Sequence, residues 1–107
     1  EIWLVSLDPT LGSEIKKTRP AIIVNGNTIG RLPLKIIVPL TDWKDRYAEA
    51  PWMVRIDPDK QNKLTKQSSA DCFQIRSVAE ERCITKIGQI DIDIMNEIRI
   101  AIAAVLK

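Results

Sequence analysis

The run Leu7-Asp8-Pro9-Thr10-Leu11-Gly12-Ser13-Glu14-Ile15-Lys16-Lys17-Thr18-Arg19-Pro20 lies between two apolar segments, Ile2 to Leu7 and Ala21 to Val24. The first segment alternates around Trp3, Val5 and Leu7, the period of a half-buried strand, and Asp8-Pro9 closes it with a turn signal. Pro20 has no backbone donor, so it is expected at the first residue of a strand that starts Ala21 to Asn25. A charged loop pinned by strands on both sides is where a small β domain carries its chemistry.

Beyond this loop, Asn25 to Gly30 reads as a loop or a short helical turn, and Lys35 to Leu40 is a near-continuous apolar run that ends in Thr41. Such a run predicts a central strand covered on both faces. Thr41 to Ala50 turns polar and aromatic, a functional loop or a local irregularity, before Trp52 to Ile56 resumes alternation. Asp57-Pro58-Asp59 turns the chain, and Lys60 to Gln67 is a polar excursion. Strand character returns through Ser69 to Val78 and Ile84 to Ile90, separated by a turn at Ala79 to Arg82 that can be helical.

The last segment changes period. Asp91 offers an N-cap, and Ile94, Ile98, Ala101 and Val105, with Met95 and Ile102 beside them, recur on one face of a helix. That stripe reads as core or dimer packing rather than as a cofactor site. The fold class expected is therefore mostly β with a C-terminal α-helix, a small curved sheet or barrel, in a single domain over residues 1–107.

Composition narrows the chemistry. The chain has 107 residues, 45% hydrophobic and 28% charged, which is ordinary for one globular domain. A net charge of +2 points only weakly to a polyanionic partner, but its distribution is uneven. Lys16, Lys17, Arg19, Arg31 and Lys35 crowd residues 14–35, where Glu14 is the one acid. The longest apolar runs fall far short of the roughly 20 residues a membrane span needs, and the strand-like start lacks a basic leader, so a cytoplasmic protein is expected.

With no histidine and two cysteines, Cys72 and Cys83, a Cys/His zinc site lacks ligands. Serine-triad, cysteine–histidine and two-histidine ribonuclease schemes are excluded as well. No metal or cofactor is expected, and the thiols read as small apolar residues without an internal disulfide.

Three segments share a pattern: Asp8-Pro9 and Gly12-Ser13-Glu14 with Arg19-Pro20 five residues after the Glu, then Val38-Pro39-Leu40-Thr41, then Gln74-Ile75-Arg76-Ser77-Val78. Over nearly the whole chain this resembles the MazF/PemK family of toxin endoribonucleases. The resemblance implies a small SH3-like (PemK/CcdB-type) barrel with a C-terminal helix, a homodimer, and a cognate antitoxin protein laid over the basic groove. It assigns catalysis to Arg19 and Thr41 and places Gln74 in the RNA groove. The chain departs from the pattern at Ile15 to Thr18, where Gln after the Glu and Gly before Arg-Pro are frequent, and at Phe73, where an acid is frequent.

The chemistry suits these residues. Single-stranded RNA carries its own nucleophile, the 2′-hydroxyl beside the scissile phosphate, so an enzyme needs only to align it, stabilise the phosphorane and move protons. The planar fork of Arg19 meets two phosphate oxygens at once, and the Thr41 hydroxyl can donate to a third. An unperturbed guanidinium is a poor base at neutral pH, so Arg19 is expected to act chiefly by charge. Glu14 either orients Arg19 or accepts the 2′-hydroxyl proton; both roles fit. Lys16, Lys17 and Thr18 are expected to hold RNA, as are Gln74 and Arg76, which stand two apart on an expected strand and so would share a face. Trp43, Tyr47 and Trp52 are candidate stacking platforms, with core packing equally open for Trp52.

The function expected is a metal-independent, sequence-preferring endoribonuclease that leaves 2′,3′-cyclic phosphate and 5′-hydroxyl ends, the toxin of a type II toxin–antitoxin pair. An alternative is a non-enzymatic toxin of the same fold that poisons gyrase through its C-terminal end, where an aromatic residue matters. This chain ends Ala103-Ala104-Val105-Leu106-Lys107, which favours RNA cleavage. A plain SH3-like interaction module is the third reading, and it leaves the Glu14-to-Pro20 spacing as coincidence.

Overall fold

The alternating segments become one seven-stranded antiparallel sheet in the computed structural model, which describes residues 1–7, 18–26 and 33–106. The strands are β1 (Ile2–Ser6), β2 (Thr18–Ile23), β3 (Leu34–Asp42), β4 (Met53–Ile56), β5 (Ser68–Asp71), β6 (Arg76–Ala79) and β7 (Cys83–Gly88), followed by helix α1 (Ile92–Val105). They lie in the order β4-β5-β3-β2-β1-β7, and β6 also pairs with β3. The long β3 organises the sheet. One edge pairs with β2, while the other is divided between β6 at Leu34 to Ile37 and β5 at Leu40 to Asp42.

Period-two alternation in β2 and β3 buries both faces of this sheet. Ile22, Val38 and Leu40 face one way and pack with Ile2 and Ile56 against Ile98 and Ala101 of α1. Ala21 and Ile37 face the other way and pack with Val5 and Val78, flanked by Trp3 and Leu7. The expected central strand covered on both faces is β3. The helix forms as its sequence predicts: the Asp91 carboxylate accepts from the Ile94 N–H at 2.8 Å, and Ile98 and Ala101 are its buried residues.

Two prolines sit where the sheet can do without a donor. Pro20 is the third residue of β2, not the first residue of a strand as the sequence suggested. The Ile23 N–H bonds Glu1 of the β1 side and the Val24 N–H bonds Ile36 of β3, so alternation aims the Pro20 nitrogen at β3. Pairing between β2 and β3 stops just before it, at Ala21 opposite Pro39. The same alternation aims the Pro39 nitrogen at the other edge of β3, in the gap between the last β6 pair, Ile37–Arg76, and the first β5 pair, Leu40–Ala70. Neither position leaves an orphaned N–H.

The run expected as a strand through Ser69 to Val78 is broken. Asp71 accepts from the Phe73 N–H at 3.2 Å and starts a 3-10 turn over Cys72–Gln74, after which β6 begins. Local capping by a short carboxylate outcompetes the ladder here. The polar excursion after β4 is also ordered. Buried Asn62 accepts from the N–H groups of Asp59 and Leu64 and donates to the Asp57 carbonyl at 2.9 Å. This knot packs on Gly88, where an added Cβ would lie 2.4 Å from the Asn62 carbonyl oxygen.

Candidate active site

Carried two steps beyond Ala21–Pro39, the β2–β3 register sets Arg19 opposite Thr41. Directly opposed residues of an antiparallel pair project to the same face, so both side chains leave the sheet on the side away from α1. The row continues across the other edge of β3, where Thr41 opposes Ser69 and Ser69 opposes Arg55. Paired strands stand about 4.8 Å apart, so the row sets the Arg55 guanidinium two strands beyond Thr41.

A cavity of about 310 Å³ opens at this point, lined by Leu7, Arg19, Thr41, Tyr47, Asp71 and Gln74. An adjoining cavity of about 350 Å³ shares Arg19 and Thr41 and adds Lys44, Lys66 and Ser68. Lys66 is held by Asp42 at 3.0 Å, an exposed pair, while Arg19 and Thr41 are half-buried. The combination offers a guanidinium, a hydroxyl and an amide within one concavity, the donors an anionic strand needs. A wider cavity of about 580 Å³, with Trp3, Asn25, Lys35, Glu80 and Glu81 in its wall, touches neither Arg19 nor Thr41. Its three glutamates, Glu1, Glu80 and Glu81, suit it poorly to a phosphate backbone, so the smaller pair of cavities is the better candidate.

Aromatic and cationic groups border the site. Trp43 and Tyr47 meet edge to face with ring centres 6.0 Å apart. Arg55 lies 5.5 Å over the Trp43 ring and Arg46 lies 5.5 Å over that of Tyr47. Trp52 is not a core residue; it is 36% exposed and meets Phe73 edge to face at 5.8 Å.

Four of the residues singled out from the sequence, Arg19, Thr41, Tyr47 and Gln74, therefore converge on one cavity. Glu14, Lys16 and Lys17 lie outside the described residues. Thr18 is exposed at the start of β2 and lines neither cavity. Gln74 and Arg76 do not share a strand face: Gln74 closes the 3-10 turn, while Arg76 begins β6 opposite Ile37. The end of the turn at Ile75 separates them, and Arg76 lines neither cavity. Sequence reading missed Leu7 and Asp71 as lining residues; an Asp two residues before Phe73 was the available sign of a turn.

Both cysteines are free. Cys72 is fully buried, and burial, reinforced by the neighbouring Asp71 charge, pushes its thiol up to about 11. Among the described residues no cluster of three or more metal-ligating side chains occurs, and no helix is long and apolar enough to cross a membrane.

The fold and the cleft together define a small antiparallel β protein with a C-terminal helix, with an arginine and a threonine facing each other at the open end of a strand pair. Residues 1–106 match the model of the PemK-like, MazF-like toxin of type II toxin–antitoxin systems. The chain belongs to that family. It is 33% identical over 94 residues to Endoribonuclease MazF9 of Mycobacterium tuberculosis (strain ATCC 25618 / H37Rv), covering 84% of this chain and 79% of that relative. It is 45% identical over 60 residues to Endoribonuclease PemK of Escherichia coli, a match that spans 53% of this chain and only 44% of the relative's length. In fold it is similar to Mycobacterium tuberculosis toxin MazF-mt6, with a TM-score of 0.78 at 19% identity over 98% of this chain and 94% of the other. A mycobacterial endoribonuclease in complex with its cognate antitoxin superposes with a TM-score of 0.74 at 21% identity, covering 98% and 89% of the two chains.

Proposed function

We propose that this toxin-family chain is a metal-independent endoribonuclease that cuts single-stranded RNA. The observation that carries the reading is the cross-strand placement of Arg19 and Thr41 in one cavity with Gln74. In the proposed reaction the 2′-oxygen bonds to phosphorus while the bond from phosphorus to the 5′-oxygen breaks. The 2′-hydroxyl proton leaves to a base and the 5′-oxygen gains a proton, giving a 2′,3′-cyclic phosphate and a 5′-hydroxyl. Arg19 neutralises charge on the phosphorane oxygens, and Thr41 donates to one of them. Gln74 hydrogen-bonds the edge of an unstacked base. Glu14 is the candidate base or orienting group, and Lys16, Lys17, Thr18 and Arg76 hold the strand outside the reaction centre.

The partners proposed are a homodimer mate and a cognate antitoxin protein, in the cytoplasm. The antitoxin is supported by family membership and by the likeness to a relative solved with its own antitoxin. Its acidic chain would occupy the cleft that the RNA phosphates use, so one surface serves both ligands.

The test is incubation of the purified protein with mixed-sequence single-stranded RNA in EDTA, beside Arg19→Ala, with the ends mapped. Cyclic-phosphate ends that vanish in the variant support the reading. RNA left intact across many sequences overturns it and moves the assignment to the gyrase-poisoning alternative or to simple binding.

A further inference from the structure

Phe73 is 62% exposed, unusual for a phenylalanine on a domain of this size. Its backbone N–H is fixed by the Asp71 carboxylate, and it is flanked in sequence by buried Cys72 and by Gln74. Asp71 and Gln74, on either side of Phe73, both line the cavity that holds Arg19 and Thr41, so the turn that carries Phe73 forms part of that cavity's wall, while the ring itself lies outside the lining. The ring is braced as well as exposed: Trp52 meets it edge to face at 5.8 Å with planes inclined by 64°, and the Trp52 carbonyl accepts from the Cys72 N–H at 3.0 Å. An edge-to-face contact of this kind leaves a broad area of the phenylalanine open, and the tethered turn removes the entropy cost of positioning it.

We infer that Phe73, braced by Trp52, is a stacking platform for an unpaired nucleobase of the RNA strand bound at Arg19 and Thr41. The inference rests on the proposed ribonuclease reading and deepens it by naming a residue that positions and holds one base of the substrate. The occupant follows from the neighbours. Gln74, next in the chain, offers an amide that can read a base edge, while the phosphate-binding donors lie across the same cavity, so a base leaving that backbone meets the ring with its face and Gln74 with its edge. Single-strand binders combine a cationic track with aromatic faces in this way, and stacking tolerates any base while edge contacts select among them. Phe73 therefore adds affinity at one nucleotide position, and Gln74 adds the choice of base there.

The experiment measures binding of a short RNA made uncleavable by 2′-O-methylation, with wild type, Phe73→Ala, Phe73→Tyr and Phe73→Leu, and cleavage of the unmodified RNA by the same proteins. Phe73→Ala should weaken binding roughly tenfold to a hundredfold. Phe73→Tyr should restore it and Phe73→Leu should not, and an abasic nucleotide at one position of the RNA should abolish the difference between wild type and Phe73→Ala. If wild type binds and cuts RNA but Phe73→Ala binds equally well, the platform is overturned while the ribonuclease reading stands. Loss of antitoxin binding or of dimerisation in Phe73→Ala, with RNA affinity unchanged, likewise overturns it and assigns the ring to a protein interface. If wild type neither binds nor cuts RNA, the function reading fails and the platform falls with it.

Discussion

Arg19 and Thr41 line the same two cavities, and the β2–β3 register, carried two residues beyond its last paired rung, Ala21 with Pro39, sets them opposite each other. Had the ladder continued, the two side chains would stand on a closed sheet. Because it stops, no backbone pairing closes the sheet where the cavities open, and a guanidinium and a hydroxyl line the same space from two rigid supports. Sites held on strands keep their geometry better than sites held on loops.

Removing either group should affect the reaction far more than the fold. Arg19→Ala is expected to lower the cleavage rate by about 10²- to 10³-fold, the loss seen when one preorganised donor to a developing oxyanion is deleted. Arg19→Lys should recover only part of this, because a point charge replaces a fork. Thr41→Val, which keeps the shape, should lose less than Arg19→Ala. Both residues are half-buried, so melting temperatures should move by no more than about 2–4 °C. Single-turnover cleavage beside a thermal melt checks all three variants.

Pro20 should be what keeps the ladder open. Pro20→Ala restores an N–H aimed at β3 and is expected to extend the pairing by one rung toward Leu40. Cleavage should fall although no cavity donor is lost, and the new amide at position 20 should exchange slowly with solvent. Fast exchange there together with unchanged cleavage would show that something other than the missing donor holds the strands apart. Hydrogen exchange read by NMR gives the answer residue by residue.

Much of this was legible in the chain because it depends on local rules. Alternation in Ile2 to Leu7 and the apolar run to Leu40 set two strands, and Asp91 with its three- and four-residue apolar steps set the helix. Arg19 and Thr41 were found through motif spacing, yet their opposition follows from register, which no local pattern reveals. The break after Asp71 was misread because Ala70, Cys72 and Ile75 look strand-like; only the carboxylate's bond to Phe73 decides for a turn. Asn62 and Gly88, 26 positions apart, meet through tertiary packing, and nothing in either neighbourhood announces the contact.

That contact makes Gly88 irreplaceable. In Gly88→Ala the new methyl group would sit 2.4 Å from one backbone oxygen and 2.6 Å from another, those of Asn62 and Gln61. Backbone cannot swing aside as a side chain can, so the cost should reach or exceed the roughly 1–3 kcal/mol typical of overpacking. Asn62→Ala should be comparably harmful by a different route, leaving the N–H groups of Asp59 and Leu64 without their acceptor. Urea unfolding would show both variants shifted to lower midpoints with little change in slope.

Alkaline pH should weaken the fold through Cys72. Burial holds its thiol at about 11, whereas the reference value for a free thiol here is 9.0. Between those values the unfolded chain has released the proton and the native chain still binds it. The native state then carries more protons than the unfolded state, so stability falls as pH rises through this window and is fully retained below it. Burial also raises Cys83, which adds a contribution of the same sign. Cys72→Ala should therefore flatten, without abolishing, the decline in unfolding free energy between about pH 9 and 11. The substitution removes a sulfur packed between the Ala70 and Ile98 carbonyls, so its curve should start lower at neutral pH. The two stability curves, measured by denaturant titration across the range, should converge as pH rises; parallel curves would mean that Cys72 does not titrate as its burial requires.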